Sequence, residues 1–337
     1  MNPILKTYSD VRKNKENKKN KENRIIGKSL RGNKNKIYIC CDYEDNIQIL
    51  IKNTKNNKQK NHPNIELNNI EVIAMRELTF TSNNKKVEGN FFSIKLIHNQ
   101  SEVIKLSLFC DVMLVLIQSL KFPIKTLQLY KKIKELINIF SKDKKISEET
   151  IQGLWAELFL IYSSRNIALA LENWHENPND KYDFGKENNF VEVKSTLSNQ
   201  RKHRLSLHQA YAKPFDTVII ASYILEREGE KKLSLKDLYD EIYLKLLGNE
   251  ILINKLIKNV YSIVSASEDI FKQSYDSIEA RKNLKFFDLK DIPKLPDSDM
   301  NISGVTDISF TSNLGFSKEI DKRKFKKKSQ FFKNIIL

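Results

Sequence analysis

The hydrophobic pattern of this 337-residue chain changes its period twice, and no other sequence feature constrains the fold as strongly. Over residues 36–106, apolar and polar residues alternate in short runs separated by turn-like segments, which is typical of β-strands. Over residues 109–140 the period becomes helical, with a break at Pro123. Over residues 147–263, helical and strand-like segments alternate. That last pattern indicates an α/β domain.

These patterns divide the chain into four segments, and the length is compatible with about two domains. We predict a β-rich N-terminal domain over residues 35–145, closed by its own helices. A second domain with a mixed sheet follows over residues 146–312. A basic, flexible arm over 1–34 precedes the two domains, and a basic tail over 313–337 follows them. The expected fold class is therefore α/β (α+β).

Both ends of the chain are strongly basic, and the formal net charge is +16. Residues 12–24 contain seven basic and two acidic side chains, and residues 318–333 contain eight basic and two acidic ones. Such segments attract polyanions, most often the backbone of nucleic acids. A purely solubilising role is the alternative. Neither segment has an apolar face, which argues against binding to a membrane surface.

The remaining composition excludes several classes of protein. Cys40, Cys41 and Cys110 form no CxxC pair, so a disulfide scaffold and a cysteine-based zinc site are not expected. The longest apolar run, residues 106–120, is shorter than the ~20 residues of a membrane span. No signal peptide, P-loop or dinucleotide fingerprint is present. We therefore expect a cytoplasmic protein.

The segment FVEVKST, residues 190–196, carries the first chemical signal. In a strand, Glu192 and Lys194 point to the same face, about 6.6 Å apart at Cα. A charged pair in an otherwise apolar strand is costly if it is buried without a function. An edge strand with a solvated face, or a structural ion pair, is the alternative.

Asp183 adds a second carboxylate, nine residues before Glu192. A hairpin that pairs Phe184 with Asn189 would place Asp183 opposite Phe190, on the face of Glu192. A slip of one residue would turn it to the other face. Two carboxylates, together with phosphate and water, are typical Mg²⁺ ligands. The alternative is an acid that only flanks a turn.

Glu157 is the only charged residue between residues 151 and 162. The helix there, expected to begin after an N-cap at Ser147, is apolar nearly all round and should be buried. A lone buried glutamate needs a partner or a function. Glu157 could join the metal site, or it could pair with a local lysine at the helix edge.

Glu157, Asp183 and the run from Glu192 to Lys194, in this order on helix, strand and strand, resemble the PD-(D/E)XK nuclease superfamily. The resemblance implies a restriction-endonuclease-like fold, in which helices flank both faces of a mixed sheet. Tyr182 stands where the superfamily name has a proline.

The wider sequence resembles one bacterial family assigned to that superfamily. The shared features, in chain order, are the segment GLWAELFLI, Trp174, Asp183 with Phe184, the run VEVKST, the HxLS pattern that begins at His203, Gln209, and the C-terminal segment 291–310, DIPKLPDSDMNISGVTDISF. They extend the resemblance over residues 35–312. What the family implies is a Mg²⁺-dependent DNA endonuclease from restriction or phage-defence gene clusters.

The resemblance also implies roles for the residues at these positions. Asp183 and Glu192 would bind Mg²⁺, or Mn²⁺ in its place, with the Val193 carbonyl as a further ligand. Lys194 would position or activate the attacking water and neutralise developing charge. Glu157 would support this metal or a second one.

A basic run follows the strand directly. Arg201, Lys202, His203 and Arg204 suit contacts to phosphate at the mouth of a metal site. Gln209 has the spacing to reach the site from the next helix. A solvated basic turn and an ordinary helix-surface glutamine are the alternatives.

We therefore expect an endonuclease that cuts DNA, most simply double-stranded DNA. Two other functions stay open: a non-catalytic DNA-binding or assembly subunit that keeps the fold, and a nuclease for RNA or branched DNA. A methyltransferase, a helicase or other defence-system subunits are the expected partners, and a homodimer stays open. No membrane partner is expected.

Overall fold

The computed structural model describes residues 2–16, 25–30, 32, 36–52, 64–67, 69–98, 103–122, 124, 126–137, 146–177, 180–264, 268–296 and 307–336. The chain divides into two compact units, residues 1–144 with 265–268, and residues 145–264 with 269–337. Within the described ranges, no helix has the length and apolar character needed to cross a membrane.

The first unit contains a sheet that closes on itself. Its elements are α1 (Pro3–Glu16), β1 (Ile26–Ser29), β2 (Ile37–Cys41), β3 (Ile47–Lys52), β4 (Ile65–Leu67), β5 (Ile70–Ser82), β6 (Lys85–Leu96), α2 (Val103–Gln118) and α3 (Thr126–Ile137). The strand order is β1-β2-β3-β6-β5-β4, and β1 also pairs with β5 in parallel, which closes the sheet. Gly27 is required at this closure, because a Cβ atom there would lie 2.5 Å from Cys40 Sγ.

The prediction of a flexible arm over residues 1–34 is wrong for residues 3–16 and 26–29, which form a helix and a strand. The helix α1 buries Ile4, Tyr8 and Val11, which are spaced along one helical face, and β1 joins the sheet. The high density of charged residues in this segment conceals the apolar stripe, since Lys6 and Lys13 are exposed on the outer face. Residues 17–24, which include four of the basic side chains, lie outside the described residues.

The second unit contains an open mixed sheet with helices. The elements after residue 145 are α4 (Glu148–Ser163), α5 (Ile167–Glu172), β7 (Phe184–Lys186), β8 (Asn189–Thr196), β9 (Lys202–Ser206), α6 (Leu207–Ala210), β10 (Thr217–Ile224), β11 (Lys232–Ser234), α7 (Leu235–Lys245), α8 (Glu250–Val264), α9 (Glu268–Lys272), β12 (Ser274–Asp276), α10 (Ser277–Lys282), β13 (Lys285–Asp288), β14 (Ser309–Asn313), α11 (Lys322–Lys328) and α12 (Gln330–Ile335). The predicted α/β class is confirmed.

The central sheet has the order β13-β10-β8-β7. Strands β8 and β10 are parallel, whereas β7 and β13 run antiparallel to their neighbours. The helix α4 packs on this sheet, where Gln152 donates a 3.0 Å hydrogen bond to Ser195 Oγ. Ser147 caps α4 as predicted, since its Oγ accepts a hydrogen bond from the Thr150 N–H.

The basic C-terminal segment is folded rather than a free tail. The helices α11 and α12, which we call the C-terminal hairpin, bury several apolar side chains, namely Phe325, Phe331, Phe332 and Ile335. Asn334 holds the hairpin to the start of α5: its carbonyl accepts from the Arg165 N–H at 3.1 Å, and its Nδ2 donates to the Asn166 carbonyl at 3.2 Å. The phenylalanines between the lysines provide the apolar contacts that a solvated tail lacks.

Candidate active site

The hairpin of β7 and β8 sets the position of Asp183 relative to Glu192. Phe184 pairs with Val191, so the predicted pairing of Phe184 with Asn189 is wrong by two residues. Strand β7 extends to Lys186 and β8 begins at Asn189, so both strands include residues that the sequence pattern assigns to the turn. A shift of two residues keeps each side chain on its predicted face. Continuing the register by one residue places Asp183 directly opposite Glu192.

A segment after α5 extends this row of residues. The His175 N–H donates to the Asp183 carbonyl at 2.8 Å, and Trp174 forms an antiparallel bridge with Phe184. Opposite residues of antiparallel pairs share a face of the sheet. His175, Asp183 and Glu192 therefore stand in one row. The sequence does not identify His175 as a site residue. It lies in a polar, loop-like segment, and it reaches the site only through pairing with a segment that is not its neighbour in sequence.

Asp183 is fixed to β8 through its own side chain. Its Oδ2 accepts a 2.6 Å hydrogen bond from the Val193 backbone N–H. This contact holds the carboxylate against the strand that carries Glu192 and Lys194. The role of the Val193 carbonyl as a metal ligand stays a prediction.

Glu192 is 3% exposed, and its two carboxylate oxygens differ. Oε1 accepts hydrogen bonds from Lys194 Nζ at 2.7 Å and from Gln209 Nε2 at 2.9 Å. Gln209 is held in turn by a capping box with Ser206 at the start of α6. Oε2 is buried and has no hydrogen-bond partner among the described residues. A buried carboxylate oxygen without a donor is unusual in proteins and points to a missing ligand.

Glu157 accepts a hydrogen bond from one aromatic ring N–H and contacts a second ring nitrogen. Its Oε2 accepts from Trp174 Nε1 at 2.7 Å and lies 3.3 Å from His175 Nε2. Trp174 is buried, and its indole nitrogen contacts the site. His175 Nδ1 is buried and without a hydrogen-bond partner in the described part of the chain.

Glu157, Asp183, Glu192 and Lys194 interact electrostatically, and we call them the acidic cluster. Burial raises the pKa of Asp183 well above its usual range, and the charges of Glu192 and Glu157 raise it further. Burial also raises the pKa of Glu192, although Lys194 opposes the increase. For Lys194, burial lowers the pKa, but the charge and hydrogen bond of Glu192 outweigh it, so the net pKa is raised. Three acids thus face one lysine.

This excess of buried negative charge fits a divalent cation. Asp183 and Glu192 would supply two carboxylate ligands, and the unpartnered Oε2 of Glu192 is a ready donor. Across the described residues, no group of three or more His, Cys, Asp or Glu side chains is arranged to hold a metal ion. Water and substrate phosphate would therefore complete the coordination, as is usual for Mg²⁺.

The basic run after β8 splits into buried and exposed residues. Arg201 donates to the Ser222 carbonyl at 2.7 Å, and His203 Nε2 lies 2.7 Å from Ser222 Oγ. Burial, together with Lys194 and Arg201, lowers the pKa of His203 to about 4. The predicted phosphate contacts of Arg201 and His203 are therefore wrong, since both side chains are inside the fold. Lys202 and Arg204 are exposed on β9, and their phosphate contacts stay predictions.

Gln209 is half-buried, and its side chain contacts other parts of the protein. Its side chain donates to Glu192 Oε1 and also reaches the Lys181 carbonyl, at 3.5 Å. It therefore orients a carboxylate of the acidic cluster, consistent with the predicted reach from the next helix. Its predicted contact with nucleic acid stays a prediction.

Comparison with known proteins identifies one family. The model of the family described as "Putative PD-(D/E)XK family member, (DUF4420)" matches residues 6–315. No curated protein and no solved structure matches the chain significantly. The match covers most of both units, together with the helix, strand and strand that carry the acidic cluster. The chain therefore belongs to the DUF4420 family of PD-(D/E)XK nuclease-like proteins.

Proposed function

We propose that this protein is a Mg²⁺-dependent endonuclease that hydrolyses phosphodiester bonds in double-stranded DNA. The observation that carries the proposal is the placement of Asp183 opposite Glu192, with Lys194 bonded to Glu192 and with Glu192 Oε2 unpartnered. Membership of a nuclease-like family supports the reaction class. Restriction or phage defence is the setting that we propose for it.

Each residue of the acidic cluster has a role in this proposal. Asp183 and Glu192 would hold the metal, which when bound supplies Lewis acidity and lowers the pKa of bound water. Lys194 is held in the same space by its 2.7 Å ion pair with Glu192. Its ammonium group would orient the attacking water and stabilise the negative charge that develops on the phosphate.

The remaining contacts keep these groups in place. Gln209 fixes one oxygen of Glu192, and the Val193 N–H fixes one oxygen of Asp183. Trp174 and His175 hold Glu157, which would support the metal site from α4. Donors that are set before substrate binds cost no reorganisation during the reaction.

A plasmid-nicking assay with Mg²⁺ or Mn²⁺ tests the proposal. Lys194→Ala should reduce cleavage by about 10²–10³-fold, as expected when one preorganised charged group is removed. Lys186→Ala is the matched control, because Lys186 is an exposed lysine on the neighbouring strand β7. It should cleave like the wild type.

The same experiment separates the alternatives. DNA binding in EDTA without cleavage by the wild type, even with candidate partner subunits added, would favour the non-catalytic subunit. Preferential cleavage of RNA or of branched DNA would change the substrate but keep the site. Cleavage that survives Lys194→Ala would place the active site elsewhere in the chain.

A further inference from the structure

Basic residues from separate elements lie close together at the C-terminal end of α4. Arg281, on α10, donates to Ser163 Oγ at 3.4 Å. The Arg165 N–H donates to the carbonyl of Asn334 in the C-terminal hairpin. Two residues of α4 and its following turn therefore connect α10 with the hairpin.

Next to this point lies a cleft of about 420 Å³ lined by aromatic and basic residues. Tyr162 and Phe159 contribute rings, and Lys231, Arg281 and Lys282 contribute cations. A further lysine, Lys245, stacks on the Tyr162 ring at 5.0 Å. Lys282 also pairs with Glu279, at 3.1 Å, so the cleft is not purely cationic.

The helix α11 contributes the densest charge. Of its seven residues, KRKFKKK, six are basic and the seventh is the buried Phe325. Arg323, Lys324, Lys327 and Lys328 are exposed, and Lys322 and Lys326 are half-buried. Within the described ranges, no carboxylate forms an ion pair with any of the six.

The fold holds these cations together against their mutual repulsion. Like charges four residues apart on a helix destabilise it, and a seven-residue helix is too short to persist alone. The hairpin core compensates, with Phe325 and Phe332 in edge-to-face contact at 6.1 Å. Burial, with Arg165 and Lys322 nearby, lowers the pKa of Lys326. That direction is expected where cations crowd one another.

An ordered array of cations without carboxylate partners fits the phosphate backbone of a nucleic acid better than a discrete small anion. A duplex carries one negative charge per about 1.7 Å of its axis and releases counterions when it is neutralised. Single strands are usually bound through exposed aromatic rings on which bases stack. The hairpin turns Phe325, Phe331 and Phe332 inward, and so offers charge rather than stacking.

We propose that α11, together with Arg165, Arg281 and Lys282, forms a duplex-DNA anchoring surface distinct from the acidic cluster. We call this set the basic surface. Its part in the protein is to set affinity and hold the duplex, and it takes no part in bond cleavage. The choice of DNA as the ligand rests on the proposed function. The binding experiment below does not depend on cleavage.

The test uses the full-length chain and a short duplex in EDTA, with affinity measured over a range of salt concentrations. The variant replaces the four exposed cations of α11, Arg323, Lys324, Lys327 and Lys328, by glutamine. The slope of log K against log salt should become shallower by about 0.9 for each lost phosphate contact, and so by about 2 to 4 in total. The affinity at low salt should fall by at least about tenfold.

A matched control carries the same change in net charge at scattered positions. It replaces four exposed lysines elsewhere in the second unit, Lys186, Lys213, Lys258 and Lys290, by glutamine. Its salt slope should change far less than that of the α11 variant. Equal losses in the two variants would overturn the proposal, because net charge alone would then explain binding.

Two further measurements keep the result interpretable. Arg165→Gln with Arg281→Gln alters the basic surface outside α11, and should also flatten the slope even if the α11 variant folds poorly. Nicking at low salt with Mg²⁺ should persist in the α11 variant when the wild type cleaves. Stronger binding of the wild type to anionic lipid vesicles or to single-stranded RNA than to the duplex would overturn the assignment to duplex DNA.

Discussion

The acidic cluster takes Glu157 from α4, the basic surface lies next to the end of that helix, and the two regions hold charge in opposite ways. In the acidic cluster, Glu192 is buried, its Oε1 accepts two hydrogen bonds, and Asp183 is clamped to a backbone N–H. In the basic surface, Arg323 and Lys327 are exposed, and no carboxylate in the described part of the chain forms an ion pair with either of them. The acidic cluster holds its side chains in fixed positions, whereas the basic surface attracts anions over a long range.

The difference predicts how each region responds to substitution. Buried charges have strongly shifted pKa values, so the loss of one group changes both stability and chemistry. Exposed cations are screened by solvent and salt, and each one contributes little. Effects should therefore be large and specific at the acidic cluster, and small and additive at the basic surface.

Asp183→Asn should have the largest effect and should act in opposite directions on activity and stability. Cleavage should fall by about 10³-fold, because a metal ligand that supports several kcal/mol of transition-state stabilisation is lost. The free energy of unfolding in EDTA at pH 7 should rise, because the folded state no longer has to accommodate a buried carboxylate at this position. Nicking assays and thermal unfolding measure the two effects.

The sign of the stability change follows from proton binding. The pKa of Asp183 is raised in the folded state, so the unfolded chain loses this proton at lower pH, near its ordinary pKa of 3.8. Stability therefore falls as pH rises from that value toward the folded pKa, and the Asp183→Asn variant would not show this loss. Mg²⁺ should raise the Tm of the wild type but not that of the variant. A lower Tm of the variant in EDTA would contradict the buried-charge interpretation.

Phe332→Ala should show that the basic surface depends on its apolar core. Phe332 is fully buried in the C-terminal hairpin, and its truncation should cost about 3–5 kcal/mol of unfolding free energy. Lys324→Gln, on the exposed side of α11, should change stability by less than about 0.5 kcal/mol. Denaturant unfolding of both variants provides the comparison. Equal stabilities would mean that the hairpin contributes nothing to the fold.

Trp174→Phe should test whether Glu157 must be held in place. The change removes the 2.7 Å hydrogen bond to Glu157 and keeps an aromatic ring. We expect about a tenfold loss of cleavage rate and a higher Mg²⁺ requirement, as is typical for residues that orient metal-site groups. Trp155→Phe is the matched control on the same unit, because its indole bonds the Leu233 carbonyl instead. A similar loss of cleavage in both variants would mean that the effect comes from altered packing rather than from the lost hydrogen bond to Glu157.

His203→Gln should leave neutral-pH behaviour unchanged and should have an effect only at acidic pH. Since the folded-state pKa of His203 is lowered to about 4 from 6.5, the wild type loses stability as pH falls from 6.5 toward 4. The variant should lose about 2 kcal/mol less than the wild type between pH 7 and pH 5, because glutamine does not titrate. Tm measured at pH 7 and at pH 5 checks the difference. Equal slopes would mean that His203 is not kept neutral by burial and by the nearby cations.

Several features of the site could be predicted because they are local. The alternation of FVEVKST places Glu192 and Lys194 on one face, and the Ser147 cap fixes the start of the helix that carries Glu157. The order of the acids along helix, strand and strand was enough for the resemblance to the PD-(D/E)XK superfamily, which the family match confirms.

Only the tertiary structure decided the contacts between distant segments. The hairpin register moved by two residues, His175 came to stand opposite Asp183, and Gln209 reached Glu192 from α6. Such pairings depend on strand register and on burial, which a local period does not encode.

The dependence on contacts between distant segments also explains why the predictions for the charged segments were wrong. Composition predicts that Arg201 contacts phosphate and that the C-terminus is free, yet Arg201 is buried against Ser222 and the C-terminal hairpin is packed. The sequence by itself determined the residue types, their order and the period of each element. The fold decided which charges lie inside with partners and which lie outside without them, because burial depends on neighbours that are distant in the chain.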